Sequence, residues 1–456
     1  MPPIVELPYC PDSAELFTPL ADRPWAMFLD SGRPYDTQGR YDILVADPVA
    51  TLVTRGAITE IRIGETVEYS PDDPLQLLQH VLAQHDTCVA DPSLPFTGGA
   101  LGYFGYDLGR RFERLACTAA DVESLPDMAV GIYTWAVVVD HVRQRSCVAG
   151  RGVDIAAMAK QFSRREPDRT RPDLCTRTAL ETNLDREGYT NAFKRIVEYI
   201  AAGDCYQVNL ARRFSAPAQG DPWAGYRALR AANPAPFSAY LHTPDAQILS
   251  ASPERFLQVR DGVVETRPIK GTRRRDPDVH IDRGLGQELL ASAKDRAENV
   301  MIVDLLRNDL GKVCDFGSIR TEVLCALESF ATVHHLVSTV TGRLAAGNHA
   351  LDVLRACFPG GSITGAPKIR AMQIIEELEG ERRGVYCGAI GYIGFDGAMD
   401  TNVAIRTLVH ARGNVRFWAG GGIVVDSTLE AEYQETLTKA APMFRLLKQN
   451  DVIAAA

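Results

Sequence analysis

Short apolar runs broken by turn residues dominate the first third of the chain. WAMFLD, DILVADP and GALGYFGYD carry the spacing of strands, and one modest helical pattern runs from Pro74 to Gln84. Residues 163–185 are charged, poor in large apolar side chains and interrupted by Pro167 and Pro172, which predicts a surface connection. Beyond it the period lengthens. Tyr189 to Ala202 sets Phe193, Ile196, Val197 and Ile200 at helical spacing, and YQVNLARRF then turns into a strand. Three strand-like runs follow (FSAYLHT, AQILSAS, RFLQVR), then two helical stretches across about Ile281 to Lys312 and a strand, VHHLVSTVTGRL. A helix opened by Pro367, three strands between Gly384 and Val425 and a helix from about Leu429 to Lys448 close the pattern. Strands and helices come in runs rather than in regular βαβ alternation. The predicted class is α+β, with large antiparallel sheets flanked by helices. The division is a strand-rich region 1–165, a linker 166–185 and a second region 186–450.

Composition narrows the function classes. The 456 residues suit two or three domains or one large enzyme fold, and 46% hydrophobic with 23% charged residues describes a globular chain. A net charge of −9 offers no basic field for nucleic acid or an anionic membrane. The longest apolar stretch, Met128 to Val139, is too short to span a bilayer, and MPPIVELPYC does not read as a signal peptide. Ten cysteines without a CxxC pair read as reduced, mostly buried thiols. A cytoplasmic enzyme with no membrane or nucleic-acid partner is the expectation.

Familiar motifs fail on spacing. PGGSITGAPK lacks the Lys-Ser/Thr ending of a phosphate loop, GALGYFGYD lacks the GxGxxG pattern, and no GxSxG elbow occurs. His334 and His335 adjoin in a strand, so at most one of them faces a site. Asp295 with Glu298, and Glu432 with Glu435, are each three apart on a predicted helix, which puts both carboxylates on one face. Such pairs can lie on solvated faces. Val300, Met301, Val303 and Leu306 instead suggest a largely buried first helix, whose carboxylates need a cation, and oxygen ligands from two helices suit Mg²⁺. Lys270, in RPIKGTRRR at the end of VVETRPI, either continues a basic surface run or is held at a turn, where a partly desolvated amine becomes a nucleophile.

YQVNLAR, SPERF, RPIKGT, DRAENVMIVDLLRND, HHLVSTVTG, PGGSITGAPKIRAM, GAIGYIG, NVAIRTL, AGGGIV and EAEYQETLTKA, in this order, resemble the signature blocks of the chorismate-utilising enzymes. The resemblance is dense from about Arg186 to Leu447 and weaker in the N-terminal VELPY and PWAMFLDSG. It implies an anthranilate synthase component I-like fold, with 186–450 as the chorismate-binding catalytic region. Two positions sort the branches. Isochorismate- and salicylate-forming members carry a Lys where this chain has Gln207, which cannot activate water as a base; an amine-forming branch is implied. Anthranilate synthases carry Ala where this chain has Lys270. The PIKGT form resembles the aminodeoxychorismate synthases, of the transaminase class, which place nitrogen at C4 of chorismate for p-aminobenzoate and folate synthesis.

The resemblance also implies roles. Lys270 would attack C2 and expel the 4-hydroxyl, ammonia would then enter at C4 and expel the lysine, and Glu254 of SPERF would serve as acid and base. Asp295, Glu298, Glu432 and Glu435 would hold Mg²⁺ at the ring carboxylate, Asp295 departing from the family's Glu and reaching the ion less directly. Arg406 and Tyr392 would hold the enolpyruvyl carboxylate, with the backbone of Gly420, Gly421 and Gly422 approaching the same anion. Gln207, Thr272, His335 and Thr364 would line the ring pocket. No glutaminase block is found, so a separate glutamine amidotransferase subunit is the expected partner in a heterodimer. FLDSG stands where tryptophan-inhibited relatives carry LLES, so that feedback is not expected. The alternative is anthranilate synthase component I; an inactive scaffold subunit is disfavoured because the metal carboxylates and Glu254 are all kept.

Overall fold

Long-range antiparallel pairing gathers the short apolar runs into two sheets, which a computed structural model describes over residues 2–32, 39–85, 91, 93–164, 169–330 and 333–448. Residues 166–168 and 449–450 of the predicted regions, and Cys88, lie outside the described residues. One sheet has 13 strands and runs from Ile4–Leu7 through Met27–Asp30, Phe237–His242, Gln247–Ser252, Thr407–Ala411 and Asn414–Ile423 to Gln207–Gln219. The other has 12 and includes Ile269–Arg274, Val333–Arg343, Arg255–Arg260, Ala389–Gly394, Gly99–Phe104 and Ala50–Arg55. Strands from before residue 165 and after residue 186 share both sheets. The intervening stretch contributes Cys175–Thr176 and Glu181–Thr182, short strands paired to Gln207–Gln219.

The layers follow from which face each strand leaves apolar. Met27, Ile43, Leu241 and Ile248 of one sheet meet Leu101, Tyr103, Tyr133 and Ile390 of the other, which makes a dry seam between them. The outer faces are covered by helices. Phe214, Phe417 and Leu249 pack with Trp223, Met443 and Phe444 on one side, and Leu257, Phe256 and Val340 with Val303, Leu351 and Met372 on the other. The class expected from the sequence, helices over large antiparallel sheets, is the one observed. No described helix is long and apolar enough to cross a membrane. No disulfide joins two of the nine described cysteines, and seven of the nine are buried.

Several elements differ from the sequence pattern. Four strands, not three, fill 384–425: Ala389–Gly394, Met399–Val403, Thr407–Ala411 and Asn414–Ile423. Arg320–Ser329 is an unforeseen strand on Val333–Arg343; its first five residues are exposed, so no buried face marks it in the sequence. Val197, on the helix Arg186–Ala201, faces water at 38% exposure; Val300 does so at 41%, so the helix Ala293–Leu310 is buried on one side only, through Ile302, Val303, Leu306 and Leu310. Lys270 does not end the strand Val263–Thr266. It belongs to Ile269–Arg274, which continues along the same edge of Val333–Arg343 in the same register, Val264 facing Gly342 and Lys270 facing Leu336, while Arg320–Ser329 holds the other edge.

Candidate functional site

Where the two sheets approach the helices Ala293–Leu310 and Leu429–Leu446, charged side chains from five segments converge. Gly271 makes the first adjustment. It forms a β-bulge with φ +71, and a Cβ there would lie 2.8 Å from Leu289 and 3.0 Å from Asp295, so only glycine lets the strand run this close to the helices. The bulge shifts the register by one, setting Thr272 opposite His335. The Thr272 hydroxyl is then 3.0 Å from His335 Nδ1, and Gly271 O is 3.3 Å from the same nitrogen.

Lys270, 10% exposed, donates from Nζ to Glu298 Oε1 at 2.7 Å and to the Ser362 carbonyl at 3.1 Å. Ser362 sits in the tight turn Gly361–Ile363, and its hydroxyl donates to Glu254 Oε1 at 2.8 Å. One residue thus grips the amine through its backbone and the carboxyl through its side chain. Glu254 lies where the chain passes from Gln247–Ser252 in one sheet to Arg255–Arg260 in the other, which buries it. Burial pushes its carboxyl up to about 7, against the lowering pull of the Ser362 hydroxyl, the Lys270 charge, the Ile269 backbone and the Lys439 charge. At neutral pH such a group is present in both protonation states.

The acidic pairs meet over the glycine run that ends Asn414–Ile423. A Cβ on Gly421 would lie 3.1 Å from Glu432 Oε2 and 3.3 Å from Glu435 Oε1; one on Gly422 would lie 2.5 Å from Gln207 Nε2 and 2.8 Å from Glu298 Oε1. Carboxylates of both helices therefore flank a strand stripped of side chains. Each has a lysine: Glu298 has Lys270, Glu432 accepts from Lys294 at 3.2 Å, and Glu435 pairs with Lys439 at 2.6 Å. Lys439 also donates to Gly420 O at 2.9 Å. Burial and the neighbouring Glu435 raise Glu432, while the Lys439 charge holds Glu435 below its ordinary value. Asp295 stands apart, against Gly271 and 3.5 Å from Arg273. Among the described residues, no three acidic, His or Cys side chains stand as a ready metal shell.

Buried polar atoms without partners mark the space above this floor. Both side-chain heteroatoms of Gln207 and Nε2 of His335 are buried and make no hydrogen bond. Burial, with the Arg406 charge next, pushes His335 down to about 3. Its ring should stay neutral, and we expect NMR titration to show no imidazole transition between pH 5 and 8. Arg406, with φ +50, has only a 3.5 Å contact to Asn233 Oδ1 and no carboxylate partner among the described residues; burial depresses its pKa. Thr364 is fully buried, with its hydroxyl turned back onto Gly360 O at 2.9 Å, so it shapes the turn from within.

Tyr392 is not brought to this group. It faces the seam between the sheets, where it lines a cavity of about 230 Å³ with Asp30, Tyr41, Arg255 and Asp400 and packs against Phe96. Strand alternation decides this, since Ala389–Gly394 turns Ile390 and Tyr392 into the seam. Tyr386, stacked on Trp418 at 6.0 Å, belongs instead to the core cluster that holds Phe256, Val303 and Ile363. Ser362 and Lys294 also escaped the sequence reading and become visible only through contacts across the fold; Lys439 escaped it too, although its i,i+4 spacing from Glu435 on one helix is a signal the sequence carries.

A Gly422→Ala change tests the floor. The new methyl collides with Gln207 and Glu298, and we expect about a tenfold rise in substrate KM with little loss of stability, read from steady-state kinetics and thermal melts.

Residues 31–445 match the family model described as chorismate binding enzyme. The chain is 52% identical to aminodeoxychorismate synthase component 1 of Klebsiella aerogenes, over 96% of this chain and 97% of that one. It is 49% identical to the Escherichia coli protein of the same name, over 98% of each. Anthranilate synthase component 1 of Pseudomonas aeruginosa is 38% identical over 94% of this chain and 92% of its own. Among solved structures, anthranilate synthase component I from Streptococcus pneumoniae superposes with a TM-score of 0.78 at 34% identity, covering 88% of this chain and 91% of that one.

Proposed function

Since the chain belongs to the chorismate binding enzyme family, we propose that it converts chorismate and ammonia to 4-amino-4-deoxychorismate, as component I of an aminodeoxychorismate synthase. The carrying observation is the Lys270 amine and the Glu254 carboxyl held by the one residue Ser362. It agrees with the names of the 52% and 49% identical relatives. Lys270, once its proton is lost, attacks C2 of chorismate; the double bonds shift and the 4-hydroxyl leaves as water, taking its proton from Glu254. Ammonia then attacks C4, the double bonds shift back, the bond from C2 to the lysine breaks, and Glu254 takes the surplus ammonium proton. A carboxyl poised near 7 can perform both transfers.

The oxygen-only set Glu298, Glu432 and Glu435 suits Mg²⁺, which would be held there with Asp295 further out; the ion would supply Lewis-acid polarisation and neutralise the ring carboxylate. Lys439, Lys294 and Arg406 already make the pocket attractive to a dianionic substrate. Arg406 lacks a carboxylate partner among the described residues and is suited to hold the enolpyruvyl carboxylate bidentately, and His335 remains neutral near the leaving hydroxyl. Ammonia would come from a glutamine amidotransferase subunit in a cytoplasmic heterodimer. The test is incubation with chorismate, Mg²⁺ and ammonium, followed by product identification. The expected product carries nitrogen at C4; formation of anthranilate would establish the other amine-forming reaction instead. Glutamine should replace ammonium only when an amidotransferase subunit is added and co-elutes on gel filtration.

A further inference from the structure

Arg383 is among the largest fully buried side chains of the molecule, and its guanidinium serves two backbone carbonyls that belong to different elements. Nη1 donates to Ile363 O at 2.9 Å, in the turn next to Ser362, and Nη2 donates to Asn209 O at 2.8 Å, in the strand that carries Gln207. Nε and Nη2 also engage Glu379 at 2.8 and 2.7 Å, and Glu379 in turn accepts from Ala211 N at 2.8 Å. The plane lies over the Tyr106 ring, 4.8 Å from its centroid. Burying an ion pair gives little net stability compared with apolar packing, so its placement points to geometry rather than to stability.

The geometry concerned is that of the turn. Gly361–Ile363 has no regular ladder of its own: Thr364 bonds back to Gly360, Asn209 N donates to Thr364 O, and Arg383 ties Ile363 O to the same strand. On this turn Ser362 offers its carbonyl to Lys270 and its hydroxyl to Glu254. We infer that Arg383 is a positioning residue: acting through Ile363, it sets the distance between the attacking amine and the proton-transferring carboxyl. The inference rests on the reaction proposed above, and it adds a residue that touches neither substrate nor reacting atoms.

The test compares Arg383→Lys, which keeps a charge beside Glu379 but cannot fork to both carbonyls, with Glu379→Gln, which leaves both carbonyl bonds in place. In the chorismate and ammonium assay, Arg383→Lys should lose at least about tenfold in kcat with chorismate KM within about threefold, because the reacting groups and not the binding groups are displaced. Its pH–rate profile should also move its limb near 7 upward, since a slackened Ser362 hydroxyl no longer stabilises the Glu254 carboxylate. Glu379→Gln should keep kcat within about threefold and leave the limb in place. A rise in KM with kcat unchanged, an unmoved limb in Arg383→Lys, or a kcat loss in Glu379→Gln equal to that of Arg383→Lys would each overturn the inference. If Arg383→Lys does not fold, Glu379→Gln decides by the last criterion against wild type, with a kcat loss above about tenfold counting against the clamp. Wild-type chain in the same assay separates this outcome from failure of the proposed reaction, because a wild type that forms no C4 product refutes the reaction and not the positioning.

Discussion

Lys270→Ala should abolish formation of 4-amino-4-deoxychorismate while leaving a folded protein. The amine is anchored by Glu298 and the Ser362 carbonyl, both of which keep other support: Glu298 remains within the field of Lys294 and Lys439, and the Ser362 hydroxyl still reaches Glu254. The expected loss is at least about a thousandfold, as for removal of a covalent nucleophile. Wild-type protein given chorismate without ammonia should gain the mass of chorismate less one water, and Lys270→Ala should not. Undiminished amination at C4 by the variant would refute the covalent role.

The second large effect has two signs. Glu254→Gln removes the acid that protonates the departing hydroxyl, and turnover should drop by roughly 10² to 10⁴. Stability should move the other way. The folded carboxyl titrates near 7 against an ordinary 4.5, so between those values the native state binds more protons than the unfolded chain. Native stability therefore declines as pH rises from 4.5 through 7, by at most about 3 kcal/mol, and the decline is complete above 7. Glutamine does not titrate. Its melting temperature relative to wild type should be higher at pH 8 than at pH 5, and an equal difference at both would exclude Glu254 as the buried titrating group. In the wild type, adduct formation needs the protonated form and should slow as pH climbs past 7.

The structure brings Lys270, Glu254, Glu298, Glu432 and Glu435 together; the sequence singles out Lys270 and the acidic pairs by local pattern and Glu254 through the resemblance of SPERF. A lysine before a glycine in PIKGT, a glutamate in SPERF and carboxylates three apart on helices keep those relations in any fold that forms the elements. Asp295 shows where that stops. It shares a helical face with Glu298 but is drawn toward Arg273 and Gly271. Tyr392 shows it more plainly: its strand is predicted correctly, yet which way each side chain faces depends on how Ala389–Gly394 is flanked by Gly99–Phe104 and Met399–Val403. The strand Arg320–Ser329 went unseen for a related reason, since mostly exposed residues leave no alternation and its pairing partner supplies the evidence for it.

The amino-acid order alone determined the class of elements, the helical and strand periods, and the chemical inventory of one amine, one further acid and two carboxylate pairs, because period and residue type act over a few positions. Tertiary structure alone decided that Ser362 would join Lys270 to Glu254, that Lys270 would reach Glu298 and Lys294 would reach Glu432, and that Tyr392 would turn to the seam. Those relations span from about thirty to about a hundred and forty residues of chain, and only the closing of two sheets under their helices brings such distant groups within hydrogen-bond reach.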